Sequence, residues 1–256
     1  MKVLWIKLAI ITATSLLLSC QTTNQKSKED LKSEKGIIVS YINSGELSLA
    51  LKLLNKNLAK LPRDAELNNL MGLTQLSLSN FDRAIHYFTI SYKLDPKPLV
   101  KLNMSSAYLE LGKYKEARNI LTNLIRDQSS TSYTMKERLY HNLGYSYELT
   151  NDNDKAIKMY KQAVIENPTY HMSWLQLGRV YIKLKKQNDA IEAFKKAVSF
   201  CEPCIEPTEE LYMTYMHNGQ VLEAKSLLKK YLGNEYISTT NKIHAQKLMN
   251  RLTAKK

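Results

Sequence analysis

Apolar side chains recur along most of the chain at the three- and four-residue spacing of amphipathic helices, and short polar stretches cut the pattern into helix-length pieces. Between residues 137 and 204 the pattern repeats. Tyr140, Leu143, Gly144, Tyr147, Ala156, Tyr160, Ala163 and Pro168 stand at fixed offsets from Glu137. Trp174, Leu177, Gly178, Tyr181, Ala190, Phe194 and Ala197 stand at the same offsets from His171, 34 residues later. Each stretch predicts two helices joined by a tight turn. Gly144 and Ala156 are small where the helices cross, and Trp174, Tyr181 and Phe194 are large enough to fill the gaps between neighbouring pairs. The small residue of the second helix marks the register, recurring as Ala50, Ala84, Ala117, Ala156, Ala190 and Ala224 in steps of 34, 33, 39, 34 and 34 residues. Six helix pairs therefore fit between about Leu31 and Tyr236.

A 34-residue period with these residues resembles the tetratricopeptide repeat (TPR). The resemblance implies an all-α chain: a right-handed α-solenoid superhelix of six TPR helix-turn-helix repeats (residues 31–238) plus a C-terminal capping helix and tail (residues 239–256). Eight glycines and six prolines in 256 residues suit helices with short connections. In the tail, Ile243, Leu248 and Leu252 fall near helical spacing. The 39-residue step places extra residues in 126–136, a longer surface loop whose large apolar side chains are Tyr133 and Met135; a partner contact by Tyr133 is the alternative.

The amino terminus departs from the repeat. Lys2 and Lys7 precede an eleven-residue apolar run, Leu8–Leu18, too short to span a bilayer and laid out like a secretory signal. It ends in Leu17-Leu18-Ser19-Cys20, which resembles the bacterial lipobox. That resemblance implies cleavage after residue 19 and acylation of Cys20, and two or more acyl chains hold a protein stably on a membrane. Residues 1–19 are thus expected to be a lipoprotein signal peptide, and residues 20–30 a lipidated cysteine with a polar tether reaching about 15 to 20 Å as a coil. Gln21, where an aspartate resembles an inner-membrane retention signal, favours the outer membrane facing the periplasm. The lysines that make up most of the +13 charge are spread with no basic run longer than two residues. Such a spread is a solvated surface and argues against a nucleic-acid site.

Catalytic signatures are missing: there is no G-x-S-x-G elbow, no glycine-rich phosphate loop and no H-E-x-x-H pair. The chain is expected to be no enzyme and to use no cofactor or metal. Glu137 and His141 lie one helical turn apart but lack a third ligand, which reads as a surface pair. Cys201-Glu202-Pro203-Cys204 is the one constellation with chemistry. In an oxidising periplasm it predicts a disulfide staple between Cys201 and Cys204, with metal binding as a minor alternative; a redox pair would need its attacking thiol at a helix N-terminus, whereas Cys201 falls at a helix C-terminal end.

In TPR arrays the first helix of each repeat lines a concave groove through its positions 2, 5, 9 and 12. Carried onto this chain, those positions give Val39, Ile42, Leu73, Leu76, Leu99, Leu102, Leu109, Arg138, Tyr145, Met172, Leu175 and Arg179 as partner-binding candidates, with His141, Glu148, Ile182, Met213 and Met216 beside them. The face is apolar enough to take an amphipathic helix or an extended peptide; the alternative is that tight winding closes it and makes these residues core.

A lipobox cysteine, a short polar tether and six TPRs, with Asn142-Leu143-Gly144-Tyr145-Ser146-Tyr147 as the nearest stretch, resemble the PilF/PilW/Tgl family of type IV pilus biogenesis lipoproteins. The resemblance implies an outer-membrane pilotin, lipid-anchored at Cys20, that binds a secretin subunit and promotes its assembly; a monomer is the expectation for the chain, though nothing in the sequence fixes its oligomeric state. Two other readings stand beside it: a TPR lipoprotein adaptor for peptidoglycan hydrolases or outer-membrane protein assembly, and a periplasmic thiol oxidoreductase using Cys201 and Cys204.

Overall fold

The computed structural model describes residues 29–127 and 135–253. The expected signal segment, Cys20 and Tyr133 lie outside the described residues. Every regular element among the described residues is a helix. The first, α1, covers residues 29–44, so Glu29 and Asp30 are already helical although both fall within the expected tether. There follow α2 (Leu47–Lys60), α3 (Ala65–Ser77), α4 (Phe81–Leu94), α5 (Pro98–Glu110), α6 (Tyr114–Arg126), α7 (Lys136–Glu148), α8 (Asn153–Glu166), α9 (His171–Lys183), α10 (Gln187–Phe200), α11 (Ile205–His217), α12 (Val221–Leu232) and α13 (Thr239–Thr253). Two compact units divide the chain, Met1–Leu111 and Gly112–Lys256. Described helices α1–α5 belong to the first and α6–α13 to the second. No described helix is long and apolar enough to cross a membrane.

Each helix pair is closed by the same device. Gly45, Ser79, Gly112, Asn151, Lys185 and Gly219 all have a left-handed backbone, with φ from 58° to 78°. They fall one per repeat, just past the first helix. Around Ser79 its own N–H donates to the Leu76 carbonyl (3.0 Å) and the Asn80 N–H to the Gln75 carbonyl (2.8 Å). Asp152 to Tyr147, Lys186 to Tyr181 and Gln220 to Tyr215 repeat the second bond. This is the Schellman closure, which satisfies carbonyls at a helix end and turns the chain sharply back. Three of the six closing residues carry a side chain, so the turn is imposed at some cost by packing of the pair it joins.

In three of the pairs the packing is set by one small and one aromatic residue. A Cβ added to Gly72 would lie 2.5 Å from the Phe88 ring, and one added to Gly144 would lie 2.7 Å from the Tyr160 ring. Gly178 meets Phe194 more closely still. Each aromatic ring is fully buried, and each therefore sits where its partner helix has no side chain. Phe194 also belongs to the cluster with Leu211, Tyr215 and Leu228, so it serves its own pair and the next. In the second unit α13 caps the stack through Ala245, Leu248 and Leu252, while Ile243 is more than half exposed. The tail's apolar stripe thus starts at Ala245, nearly two turns in from α13's N-terminus.

Candidate partner-binding face

First helices within each unit lie side by side, and polar bonds tie them at their seams. In the first unit, Lys35 of α1 donates to Asp64 (2.9 Å) and Glu66 (2.8 Å) at the start of α3, and Asn103 of α5 donates to Asn69 of α3 (3.2 Å). Burial works against the Lys35 charge, but its bonds to Glu66 and Asp64 outweigh this and raise its pKa. In the second unit, Nδ1 of His141 on α7 lies 2.9 Å from the Ser173 hydroxyl on α9. The buried Glu148 of α7 accepts from the Tyr160 hydroxyl at 2.8 Å and is paired with Lys183 of α9. Arg179 of α9 spans to α11, giving Nε to Glu210 at 2.8 Å and a terminal nitrogen to Glu206 at 2.7 Å.

This seam corrects the sequence-based face. Position 5 of the middle repeats goes inward: Leu102 is fully buried, His141 is buried, and Leu175 is 1% exposed. Position 12 follows in the third and fourth repeats, with Leu109 3% exposed and Glu148 also buried, whereas Ile182 in the fifth is 41% exposed. Leu102, Leu109 and Leu175 are therefore core side chains and cannot meet a partner without unpacking it. The physical reason is helical geometry. Positions 5 and 12 are seven residues apart and share a stripe, and that stripe faces the neighbouring first helix. His141 is no surface partner of Glu137 either; burial, then the Arg138 and His171 charges, hold its pKa down to about 4.

Positions 2 and 9 form the parallel stripe, and they stay accessible. In the first unit these are Lys32 and Val39, Glu66 and Leu73, Leu99 and Ser106; Val39 is 41% exposed. In the second they are Arg138 and Tyr145, Met172 and Arg179, Glu206 and Met213; Met213 is 56% exposed. Ile42 and Leu76, at position 12 of the first unit, are half-buried. Lys32, Lys35, Val39 and Glu66 share an open pocket, which makes the first-unit stripe locally concave. A separate depression lined by Val198, Leu227, Lys230 and Tyr231 sits mainly on the second helices α10 and α12. Lys32, Glu66, Ser106 and Glu206 were absent from the sequence-based set because it favoured apolar residues; their repeat position was the available signal.

Between α10 and α11, Cys201 follows α10 directly and Cys204 is the N-cap residue just before α11, with their sulfurs joined and Cα atoms 5.3 Å apart. The sequence-based placement of Cys201 at a helix C-terminal end matches its position. It did not consider that Cys204 occupies the opposite kind of site, a helix N-terminus. Nε2 of His171, the first residue of α9, lies 3.9 Å from the Cys204 sulfur.

Comparison with known proteins agrees with this architecture. Tetratricopeptide-repeat models match residues 100–130, 137–170 and 173–203. Among curated proteins, the anaphase-promoting complex subunit CDC16 of Saccharomyces cerevisiae is 26% identical over 132 residues, covering 50% of this chain and 16% of that protein. Human tetratricopeptide repeat protein 6 is 24% identical over 130 residues, covering 50% and 24%. The matches span less than a quarter of either relative. Among solved structures, PilW, described as a widely conserved type IV pilus biogenesis factor, superposes with a TM-score of 0.64 at 14% identity, covering 83% of this chain and 96% of that one. Pseudomonas aeruginosa PilF superposes at 0.62 with 16% identity, covering 84% and 96%. At these identities the likeness is one of fold: an all-α array of TPR helix pairs.

Proposed function

We propose that this chain is a non-catalytic TPR scaffold whose position 2 and 9 stripe holds a protein partner, and that it serves as a pilotin, anchored through Cys20 to the outer membrane and binding a subunit of the type IV pilus secretin. One observation carries the binding face: burial removes position 5 of the middle repeats, and position 12 of the third and fourth, and leaves positions 2 and 9 open. On the second unit that open stripe carries Arg138, Tyr145, Met172, Arg179 and Met213, residue types enriched at the energetic centres of interfaces. The Arg179 bridge to Glu206 and Glu210 fixes the charges of the stripe before a partner arrives, so part of the ordering cost of binding is already met. The choice of partner draws on the lipobox layout at Leu17–Cys20 and on the fold shared with PilW and PilF.

The test is capture from a detergent extract of the host, using full-length wild type and the Met213→Glu and Tyr145→Glu variants. Recovery of secretin by wild type, with loss in the variants while their helical circular dichroism is unchanged, supports the reading. Recovery of peptidoglycan hydrolases or a barrel-assembly protein instead moves the chain to the adaptor reading. Secretin bound equally by all three proteins overturns the assigned face. Fatty-acid labelling that persists in Cys20→Ser overturns the anchor.

A further inference from the structure

A disulfide staple accounts for Cys201 and Cys204 but not for His171. The imidazole comes from the start of α9, a full repeat earlier in sequence, and its Nε2 faces the Cys204 sulfur at 3.9 Å. All three donor atoms, Nε2 of His171 and the sulfurs of Cys201 and Cys204, lie within 4.8 Å of one another, and all three residues are half-buried. A two-residue spacer between cysteines is the spacing of one half of many structural and catalytic zinc sites. In a tetrahedral site with metal–sulfur bonds of about 2.3 Å and metal–nitrogen bonds of about 2.0 Å, donors stand roughly 3.5 to 4 Å apart. Nε2 of His171 and the Cys204 sulfur, 3.9 Å apart, already stand at that spacing, and the two sulfurs, bonded to each other here, reach it only once that bond is opened.

The loop that carries the sulfurs is braced from neighbouring elements. The Cys204 N–H donates to the Cys201 carbonyl at 3.1 Å. The Tyr231 hydroxyl of α12 donates to the Pro203 carbonyl at 2.9 Å, and the Thr208 hydroxyl to the Cys204 carbonyl at 3.0 Å. Held backbone on both sides means that opening the sulfur–sulfur bond lets two side chains rotate without releasing the loop. Such support around the ligands is what a metal site requires.

We propose that the reduced chain binds one divalent cation of the zinc class through the Cys201 and Cys204 thiolates and Nε2 of His171, with the fourth position open to water or an exchangeable ligand. The site and the disulfide exclude each other. A dithiol reductant supplies two electrons: one of its thiolates attacks a disulfide sulfur to form a mixed disulfide, its second thiol displaces the remaining cysteine, and the reductant leaves as a disulfide. Cys201 and Cys204 are then free thiols. Metal binding releases their two protons, and the metal and the two thiolates together are neutral. The chain thus has two covalent states at one joint between the fifth and sixth repeats, a bonded state under oxidising conditions and a metal-bridged state under reducing ones. The second ties α9 to the α10–α11 loop, which the disulfide alone does not.

The experiment is titration of the full chain with Co2+ under anaerobic conditions, before and after reduction by a phosphine that does not bind the metal, followed by competition with Zn2+. Reduced wild type should take up one Co2+ with the thiolate charge-transfer and ligand-field bands of a tetrahedral site, lost on adding one Zn2+. Oxidised wild type should give none of these bands, a comparison that needs no variant. His171→Asn should weaken Co2+ binding at least about tenfold, as losing a ligand costs no less than losing its supporting bond. Octahedral bands, binding of equal strength in the oxidised chain, or no change in His171→Asn while its helical circular dichroism is retained each overturn the proposal. The outcome is independent of which protein occupies the first-helix face.

Discussion

Lowering the pH from 7 to 5 should cost the second unit stability through His141, whose contribution a variant isolates from those of His171 and the carboxylates. Its ring is buried between α7 and α9, with Nδ1 at the Ser173 hydroxyl and the Tyr160 and Tyr170 rings about 5.5 Å away. The groups that act on its charge are Arg138 and His171, both of which disfavour the imidazolium, after burial itself. The folded pKa of about 4 lies below the ordinary 6.5, so between these values the unfolded chain binds the proton and the folded chain does not. Stability from this group is therefore complete above the unfolded value and is lost as pH falls through it towards 4. Linkage with these two values gives a loss of about 2 kcal/mol between pH 7 and pH 5. Urea unfolding followed by far-ultraviolet circular dichroism, at both pH values, measures it. His141→Asn can retain a bond to Ser173 but cannot be protonated; it loses stability at both pH values by leaving space, and only its pH dependence matters. Wild type should lose about 2 kcal/mol more than the variant over the interval. Equal losses would refute the buried neutral imidazole, because surface carboxylates contribute alike to both proteins.

Other substitutions probe the packing and the face. Gly178→Ala gains helix propensity of about 1 kcal/mol but drives a methyl into the Phe194 ring, and overpacking of about 1 to 3 kcal/mol should win, seen as a lowered melting temperature. Gly36→Ala, with nothing near its added carbon, should instead leave melting unchanged or raise it. Leu102→Glu and Leu175→Glu each bury an unpaired carboxylate and should abolish cooperative melting of their unit, while Val39→Glu and Met213→Glu, on the open stripe, should melt like wild type. Tyr160→Phe removes the hydroxyl donor to the buried Glu148 and should cost about 2 kcal/mol; no change in a urea midpoint would show that Lys183 and solvent suffice for that carboxylate.

The repeat architecture was legible because it rests on small side chains at crossings, and a crossing that admits no Cβ writes its requirement into one position per repeat. Gly144 and Gly178 say so directly, and Gly72 repeats it in a weaker unit. The closing turns were half legible. Gly45, Gly112 and Gly219 announce a left-handed residue, but Ser79 and Lys185 do not, since there the helix pair enforces the backbone that the residue itself disfavours. Leu102, Leu109 and Leu175 were misplaced for a different reason. A leucine on a helix face looks the same whether that face meets a ligand or a neighbouring helix, and hydropathy alone cannot separate the two.

The period itself separates them. In a stacked array, residues about one repeat apart in sequence become neighbours in space, so partners should be sought 31 to 35 positions away rather than three or four. The seam is built this way throughout: Asn69 with Asn103, His141 with Ser173, Glu148 with Lys183, Arg179 with Glu210. Complementary pairs at this spacing mark contacts that the stack itself makes, and Arg179 shows that such a pair can also lie on the accessible stripe, where Glu206 and Glu210 hold it in place. His171 and Cys204 stand 33 residues apart. By the same rule they are a pair that the stack brings together, which is why an imidazole reaches a C-x-x-C loop that local sequence gave no reason to connect with it.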